Sequence, residues 1–139
     1  MNYHKITVEV NINKGIERVW ELWSLPEHII YWNHASEDWQ TVRVENDLRI
    51  GGRFFYRMEA KDGSMGFDCE ANYTEVIHLK KLEYIGFGDR TVTIFFQSEG
   101  EITKITETFD AENENPVDIQ KNGWQAILDN FKKYAESQH

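Results

Sequence analysis

Hydrophobic residues alternate with polar ones over several short stretches of the chain, beginning with residues 3–12. In that stretch Ile6, Val8, Val10 and Ile12 fall on one face, and a period of two residues is typical of a half-buried β-strand. The alternation returns further along the chain, interrupted by turn residues such as Asp62-Gly63. It predicts six more strands, over residues 40–45, 53–60, 65–77, 82–87, 91–97 and 101–110.

Apolar residues spaced three or four positions apart predict helices in two regions. Asn13 is the expected N-cap of a first helix, whose apolar face carries Ile16, Val19, Trp20 and Trp23. Pro26 ends this helix and opens a second short one. From Val117 to about Ser137, a longer helix has an apolar stripe of Ile119, Trp124, Ile127, Leu128, Phe131 and Tyr134. Gly123 within it either permits a close approach or is a neutral surface position.

The order of these elements predicts one α+β domain over residues 1–139. A single amphipathic helix can cover one face of such a sheet only if the sheet curls around it. The first strand is then expected beside a late strand, where it closes most of the sheet edge. A strongly curved sheet covered by one helix leaves space at its mouth, where ligand pockets commonly form.

Composition narrows the classes of function. Five Trp, six Tyr and eight Phe supply many rings for a core or an apolar cavity. A net charge of −9 argues against nucleic-acid partners and against anionic membrane surfaces. Cys69 is the only cysteine, so we expect no intrachain disulfide and no cysteine-based metal cluster. Without a signal-peptide pattern or a long apolar run, we expect a cytoplasmic protein that does not insert into membranes.

Several motifs resemble those of a known family. Residues 47–54, Asp-Leu-Arg-Ile-Gly-Gly-Arg-Phe, resemble a signature of the START-like (SRPBCC) superfamily, and more narrowly the branch named for the activator of the heat-shock-protein-90 ATPase. Further similarities to that branch are Trp23 with Pro26 and Trp32, the Asp62-Gly63 hairpin, and Gly123-Trp124. The resemblance implies a helix-grip fold, in which about seven antiparallel strands curve around a long C-terminal helix, with a cavity for lipids or other small hydrophobic molecules.

The glycine pair in that signature is interpreted as structural. Gly51-Gly52 allows a kink between strands, and Arg49 is expected to pair with an acidic neighbour such as Asp47. A phosphate-binding glycine loop should precede a helix, whereas a strand follows here.

Nine residues are expected to face the space between sheet and helix, where they either line a ligand pocket or form packed core. These candidate ligand-binding residues are Trp32, Phe54, Tyr56, Met58, Phe67, Cys69, Glu107, Trp124 and Leu128. Glu107 is the most informative of these, because alternation places it on the face of Ile105 and Phe109. A carboxylate in an apolar cavity is costly unless it is neutral or paired. The alternatives are a bulge that turns Glu107 to solvent, or a buried partner such as Tyr56 or an arginine.

The leading hypothesis is a protein, monomer or homodimer, that binds a small hydrophobic or lipid-like ligand. No residues have the spacing of metal ligands, a nucleophile elbow or a nucleotide loop, so we expect no metal, no cofactor and no catalytic set. One alternative is a hydrolase or cyclase that uses Glu107, with Tyr56 or His34, as acid–base groups. Another alternative, by analogy with the chaperone activator, is a chaperone-interacting adaptor.

Overall fold

A computed structural model describes residues 3–86 and 88–139, and it confirms the α+β architecture. The predicted strand end at Phe87 lies outside the described residues. In chain order the elements are β1 (Lys5–Ile12), α1 (Ile16–Ser24), α2 (Pro26–Trp32), β2 (Trp39–Asn46), β3 (Arg53–Ala60), β4 (Gly66–Ile77), β5 (Lys81–Gly86), β6 (Arg90–Glu99), β7 (Ile102–Asp110) and α3 (Val117–Glu136).

The strands form one antiparallel sheet in the order β1-β7-β6-β5-β4-β3-β2. As expected, the first strand lies beside a late one, and Val8 of β1 is directly opposite Glu107 of β7. Register shifts interrupt β2 after Thr41 and β4 after Tyr73. Such bulges increase the local twist and bend a sheet, so they contribute to the curvature that wraps it around the helix.

Helix α3 lies against one side of the curved sheet. Its residues Leu128, Phe131 and Ala135 are fully buried, and β1 is the strand that it contacts most. At the opposite edge of the sheet, α2 packs on β2 and also contacts α3. Between α3 and α2, the concave face of the sheet is not covered by a helix of the described chain and lines a space. The large side chains of β3, β4 and β5 point into this space.

The connection from β2 to β3 is held against β4 by its glycine pair. Gly51 has a φ of +82° and donates its N–H to the Tyr73 carbonyl, while the Tyr73 N–H donates to the Gly52 carbonyl. A Cβ atom on Gly52 would lie 2.0 Å from the Asp47 carbonyl oxygen. Arg49 pairs with Asp47, with 2.8 Å between Nε and Oδ2. The pair is thus structural, as expected, and it fixes the position of Tyr73.

Three local predictions need correction. The first helix begins at Ile16, so its N-cap is Gly15 and not Asn13. Strand β5 begins at Lys81, one residue before the predicted start at residue 82, and the turn before it spans residues 78–80. Ile119 is 58% exposed, because the first turn of α3 extends beyond the buried part of the helix. Of the two alternatives for Gly123, the structure supports the neutral position, because a Cβ atom there would meet nothing within 4 Å.

No helix in residues 3–86 and 88–139 has both the length and the apolar character needed to cross a membrane.

Candidate functional site: an enclosed aromatic cavity with one acidic group

The space between the sheet, α2 and α3 is an enclosed cavity of about 170 Å³. Most of its wall is aromatic, and the remainder consists of two isoleucines, two asparagines and one glutamate. The lining residues are Trp23, Trp32, Phe54, Tyr56, Tyr73, Tyr84, Trp124, Ile29, Ile127, Asn33, Asn46 and Glu107. They come from eight elements and the residue that follows α2, so only the folded chain brings them together.

Glu107 is the acidic group of this wall. It is 4% exposed, and its neighbours on the adjacent strands are Val8 and Ile94, both buried. Among residues 3–86 and 88–139, none donates a hydrogen bond to its carboxyl group or forms an ion pair with it. Burial without a compensating partner raises the pKa of Glu107 to about 8. The carboxyl group is therefore mostly protonated at neutral pH.

Two tyrosines surround this carboxyl group. Burial raises the pKa of both Tyr56 and Tyr84 well above the ordinary value, and the nearby charge of Glu107 acts in the same direction. Tyr56 also interacts with Cys69, its partner across the β3–β4 ladder, and burial raises the pKa of the Cys69 thiol. Both phenols stay neutral throughout the ordinary pH range, so their hydroxyl groups can donate or accept hydrogen bonds inside the cavity.

Most of the other polar groups of the wall have hydrogen-bond partners. The Tyr73 hydroxyl donates to Asn46 Oδ1 at 2.7 Å, and Asn46 Nδ2 donates to the Ser24 carbonyl at 2.7 Å. Trp32 Nε1 donates to the Leu22 carbonyl at 3.1 Å. Asn33 differs, because its buried Nδ2 finds no hydrogen-bond partner in the described part of the chain. Among the described residues, the cavity thus offers a molecule inside it the unused Glu107 carboxyl group, whereas Asn33 Nδ2 is itself buried.

An open cleft adjoins the cavity and is called the outer cleft here. It encloses about 380 Å³ and shares Tyr56 and Trp124 with the cavity wall. Trp124 is stacked on Phe109, with 3.9 Å between ring centroids and 11° between ring planes. The remaining lining residues are Phe67, Arg90, Val92, Asp110, Glu112, Asn115 and Gln120. The outer cleft therefore lies next to the cavity, on the far side of Tyr56 and Trp124.

The structure places five of the nine predicted site residues in the cavity wall: Trp32, Phe54, Tyr56, Glu107 and Trp124. Three others lie outside that wall: Leu128 is fully buried in the core, Met58 accepts a hydrogen bond from Thr41, and Cys69 lies beside Tyr56. Phe67 is 46% exposed, contacts the Trp39 ring, and lines the outer cleft.

Seven wall residues were not among the predicted site residues: Trp23, Ile29, Asn33, Asn46, Tyr73, Tyr84 and Ile127. Tyr73 shares a strand face with Cys69, so alternation alone could have included it. Asn33 and Asn46 lie at the ends of α2 and β2, and no periodic pattern marks such positions.

The described part of the chain contains no group of three or more His, Cys, Asp or Glu residues placed to hold a metal ion.

A sheet curved around one long C-terminal helix, with two short helices after the first strand and a cavity between, defines a START-like protein with the helix-grip fold. The family described as activator of Hsp90 ATPase homolog 1-like protein matches residues 14–136. The chain belongs to that family, as the resemblance implied.

Solved structures agree with this assignment. An AHSA1-like protein from Aeromonas hydrophila is 45% identical, with a TM-score of 0.90 over 96% of this chain and 93% of that one. Chr148 from Cytophaga hutchinsonii is 46% identical, with a TM-score of 0.83 over 96% and 92%. NE0264 from Nitrosomonas europaea shares the fold at 17% identity, with a TM-score of 0.84 over 97% and 96%. Among curated proteins, no match to the sequence is found.

Proposed function

We propose that the protein binds a small, mainly apolar molecule that carries one polar group, inside the cavity between α3 and the sheet. The observation that carries this proposal is the Glu107 carboxyl in an aromatic wall, which has no partner among residues 3–86 and 88–139. A buried polar group without a partner is costly to a fold, and functional sites are where such costs concentrate.

The empty volume supports the same conclusion. At ~24 cal/mol per Å³, a void of about 170 Å³ costs the fold on the order of 4 kcal/mol. A bound molecule recovers part of that free energy through dispersion contacts with the rings around it. The empty cavity thus lowers the stability of the ligand-free protein, and a bound ligand would raise it again.

The volume also indicates the size of the ligand. An engineered apolar cavity of ~150 Å³ holds a benzene molecule, whereas pockets for drug-sized ligands are roughly 300–1,000 Å³. A cavity of about 170 Å³ suits one ring with a short substituent. A lipid-like ligand would have to extend past Tyr56 and Trp124 into the outer cleft, so the small hydrophobic ligand is favoured.

A screen of one-ring compounds by thermal shift and calorimetry tests the proposal, with two substitutions on α3 as a matched pair. Ile127→Phe fills the cavity, whereas Ile119→Phe adds the same ring at an exposed position of the same helix. We expect compounds that stabilise the wild type to stabilise I119F equally and to leave I127F unaffected. The proposal fails if no compound stabilises the wild type, or if I127F responds as the wild type does.

The second candidate function is acid–base catalysis on a molecule in the same cavity. It is favoured by the position of Glu107, which is buried with a raised pKa beside Tyr56, because general acids at neutral pH are often carboxyl groups in apolar surroundings. Incubating the wild type with each compound that binds, followed by mass spectrometry, separates the two functions. Unchanged compound supports the binding protein, and a product that disappears in Glu107→Gln supports the enzyme.

A further inference from the structure

We propose that the cavity selects a small organic cation, an amine or methylated ammonium group on a one-ring skeleton, that pairs with Glu107. This inference rests on the proposed function and specifies the chemical class of its ligand. It is carried by the unpartnered acidic group, by the absence of a competing cation in the described wall, and by the aromatic rings around it.

The charges of the wall distinguish between classes of ligand. Of its twelve described residues, Glu107 alone is acidic and none is Lys, Arg or His. An anionic ligand would face a carboxyl group with no cation to compensate it. A cationic ligand gives the Glu107 carboxylate the partner that the described part of the chain does not provide, and it avoids the penalty of a lone buried charge.

The aromatic rings provide the second part of a cation site. Seven rings line the cavity, and some neighbours meet at steep angles: 89° between Tyr73 and Tyr84, and 66° between Phe54 and Tyr84. The rings therefore surround the space in several orientations and do not form one flat stack. Ring faces attract organic cations, and aromatic cages are the usual receptors for methylated ammonium groups.

Near pH 7, Glu107 is the group of the described wall whose protonation changes, so it is the main source of pH dependence in ligand binding. Tyr56 on β3, Tyr73 and Cys69 on β4, and Tyr84 on β5 all have raised pKa values and are neutral near pH 7. The wall residues from α1, α2 and α3 are Trp23, Ile29, Trp32, Trp124 and Ile127, none of which titrates.

Binding of a cation must therefore be linked to ionisation of one group. With a pKa of about 8, Glu107 is ionised in about one molecule in ten at pH 7. An ammonium group binds the ionised form, so the proton of Glu107 passes to the solvent. We expect apparent affinity for an amine to rise about tenfold per pH unit below pH 7 and to level off above pH 8. A neutral compound releases no proton and gains no affinity over this range.

The experiment is isothermal titration calorimetry with benzylamine and benzyl alcohol, which have the same ring and differ in the charged group. Like a lysine side chain, the amine stays protonated over the range used, pH 6 to pH 8. Titration at pH 7 in phosphate and in Tris, which differ in ionisation enthalpy, counts the protons released. We expect benzylamine to bind at least tenfold more tightly than benzyl alcohol at pH 8, with release of about 0.9 proton at pH 7.

Two variants locate the effect. Glu107→Gln keeps the shape of the side chain and should abolish the preference for the amine and the proton release, while benzyl alcohol still binds, which shows that the cavity is intact. Glu9→Gln removes one exposed negative charge on β1, where Glu9 pairs with Lys104, and should bind both compounds as the wild type does.

The outcomes separate this inference from the proposed function. If benzyl alcohol binds the wild type as tightly as benzylamine, or if amine binding releases no proton, the cation proposal is wrong and the binding function stands. If neither compound binds the wild type, both proposals are overturned. Equal amine preference in E107Q and the wild type would also refute the role of Glu107.

Discussion

Tyr56 on β3 and Trp124 on α3 line both the enclosed cavity and the outer cleft, so together they form the partition between the two spaces. Trp124 is held there by its stacking on Phe109, and Tyr56 by its place in the β3–β4 ladder opposite Cys69. The boundary of the cavity on this side is thus set by two side chains from elements distant in sequence.

Removing one side of the partition should change which molecules fit. In Trp124→Ala we expect the cavity and the outer cleft to join, so that a two-ring compound such as 2-naphthol binds the variant more tightly than the wild type. The loss of a large, partly buried ring should lower the free energy of unfolding by about 3 kcal/mol. Ile119→Ala, on the exposed side of the same helix, serves as the control. Unchanged binding of 2-naphthol to W124A would show that Trp124 does not limit the space.

The buried carboxyl group should make the ligand-free protein less stable as pH rises. The pKa of Glu107 is about 8 in the folded state against an ordinary value of 4.5, so the folded state holds the proton more tightly. The stability from this group is fully present below about pH 4.5 and is lost as pH rises through about 8, a change on the order of 4–5 kcal/mol. Urea unfolding at pH 5, 6, 7 and 8 measures it.

Glu107→Gln should abolish this contribution, so that the variant is the more stable protein at pH 8. Groups with lowered pKa values, such as Asp110 and Glu136, favour the folded state at higher pH, but they are common to both proteins and cancel in the difference. Glu9→Gln controls for the removal of one charge. If the free energy of unfolding changes with pH in the same way for E107Q and the wild type, burial does not destabilise the ionised form of Glu107.

Two glycines should respond in opposite ways to the same substitution. Gly123→Ala adds a methyl group to open space within α3 and should stabilise the protein by about 0.5–1 kcal/mol, since alanine favours the helix. Gly52→Ala places its Cβ atom 2.0 Å from a backbone oxygen and should destabilise the protein by ~2 kcal/mol or more. Urea unfolding of both variants is the measurement. A destabilised G123A would indicate a contact at this position that the structure lacks.

The hydroxyl of Tyr73 should matter through its bond to Asn46. Tyr73→Phe leaves the partly buried Asn46 Oδ1 without its donor and should cost about 1 kcal/mol in the free energy of unfolding. Tyr3→Phe removes an exposed hydroxyl that donates to the Gly88 carbonyl, and this control should change stability by less than ~0.5 kcal/mol. Equal effects in the two variants would contradict a structural role for the Tyr73–Asn46 bond.

The fold could be predicted because its signals are local and periodic. Alternation gave each strand its inner face, and it placed Glu107 beside Ile105 and Phe109 before any tertiary contact was known. The position of a residue along the groove is a different matter, because it depends on register between strands and on where α3 lies. Phe67 and Cys69 share a face with Tyr73, yet Phe67 extends into the outer cleft.

The polar part of the cavity wall was harder to infer. Asn33 and Asn46 follow or end their elements, so neither belongs to a repeating pattern, and they meet only because α2 packs on β2. Likewise, the exposure of Ile119 depends on where the buried part of α3 begins, which the stripe of apolar residues does not show.

The most direct measurement is an NMR titration of the isotope-labelled protein with benzylamine, read by intermolecular nuclear Overhauser effects. Ile29 and Ile127 are the aliphatic residues of the cavity wall, so their methyl groups report on a molecule inside it. We expect effects between the benzylamine ring protons and both sets of methyl groups. Effects confined to exposed residues such as Ile119, or none at any residue, would contradict binding in the cavity.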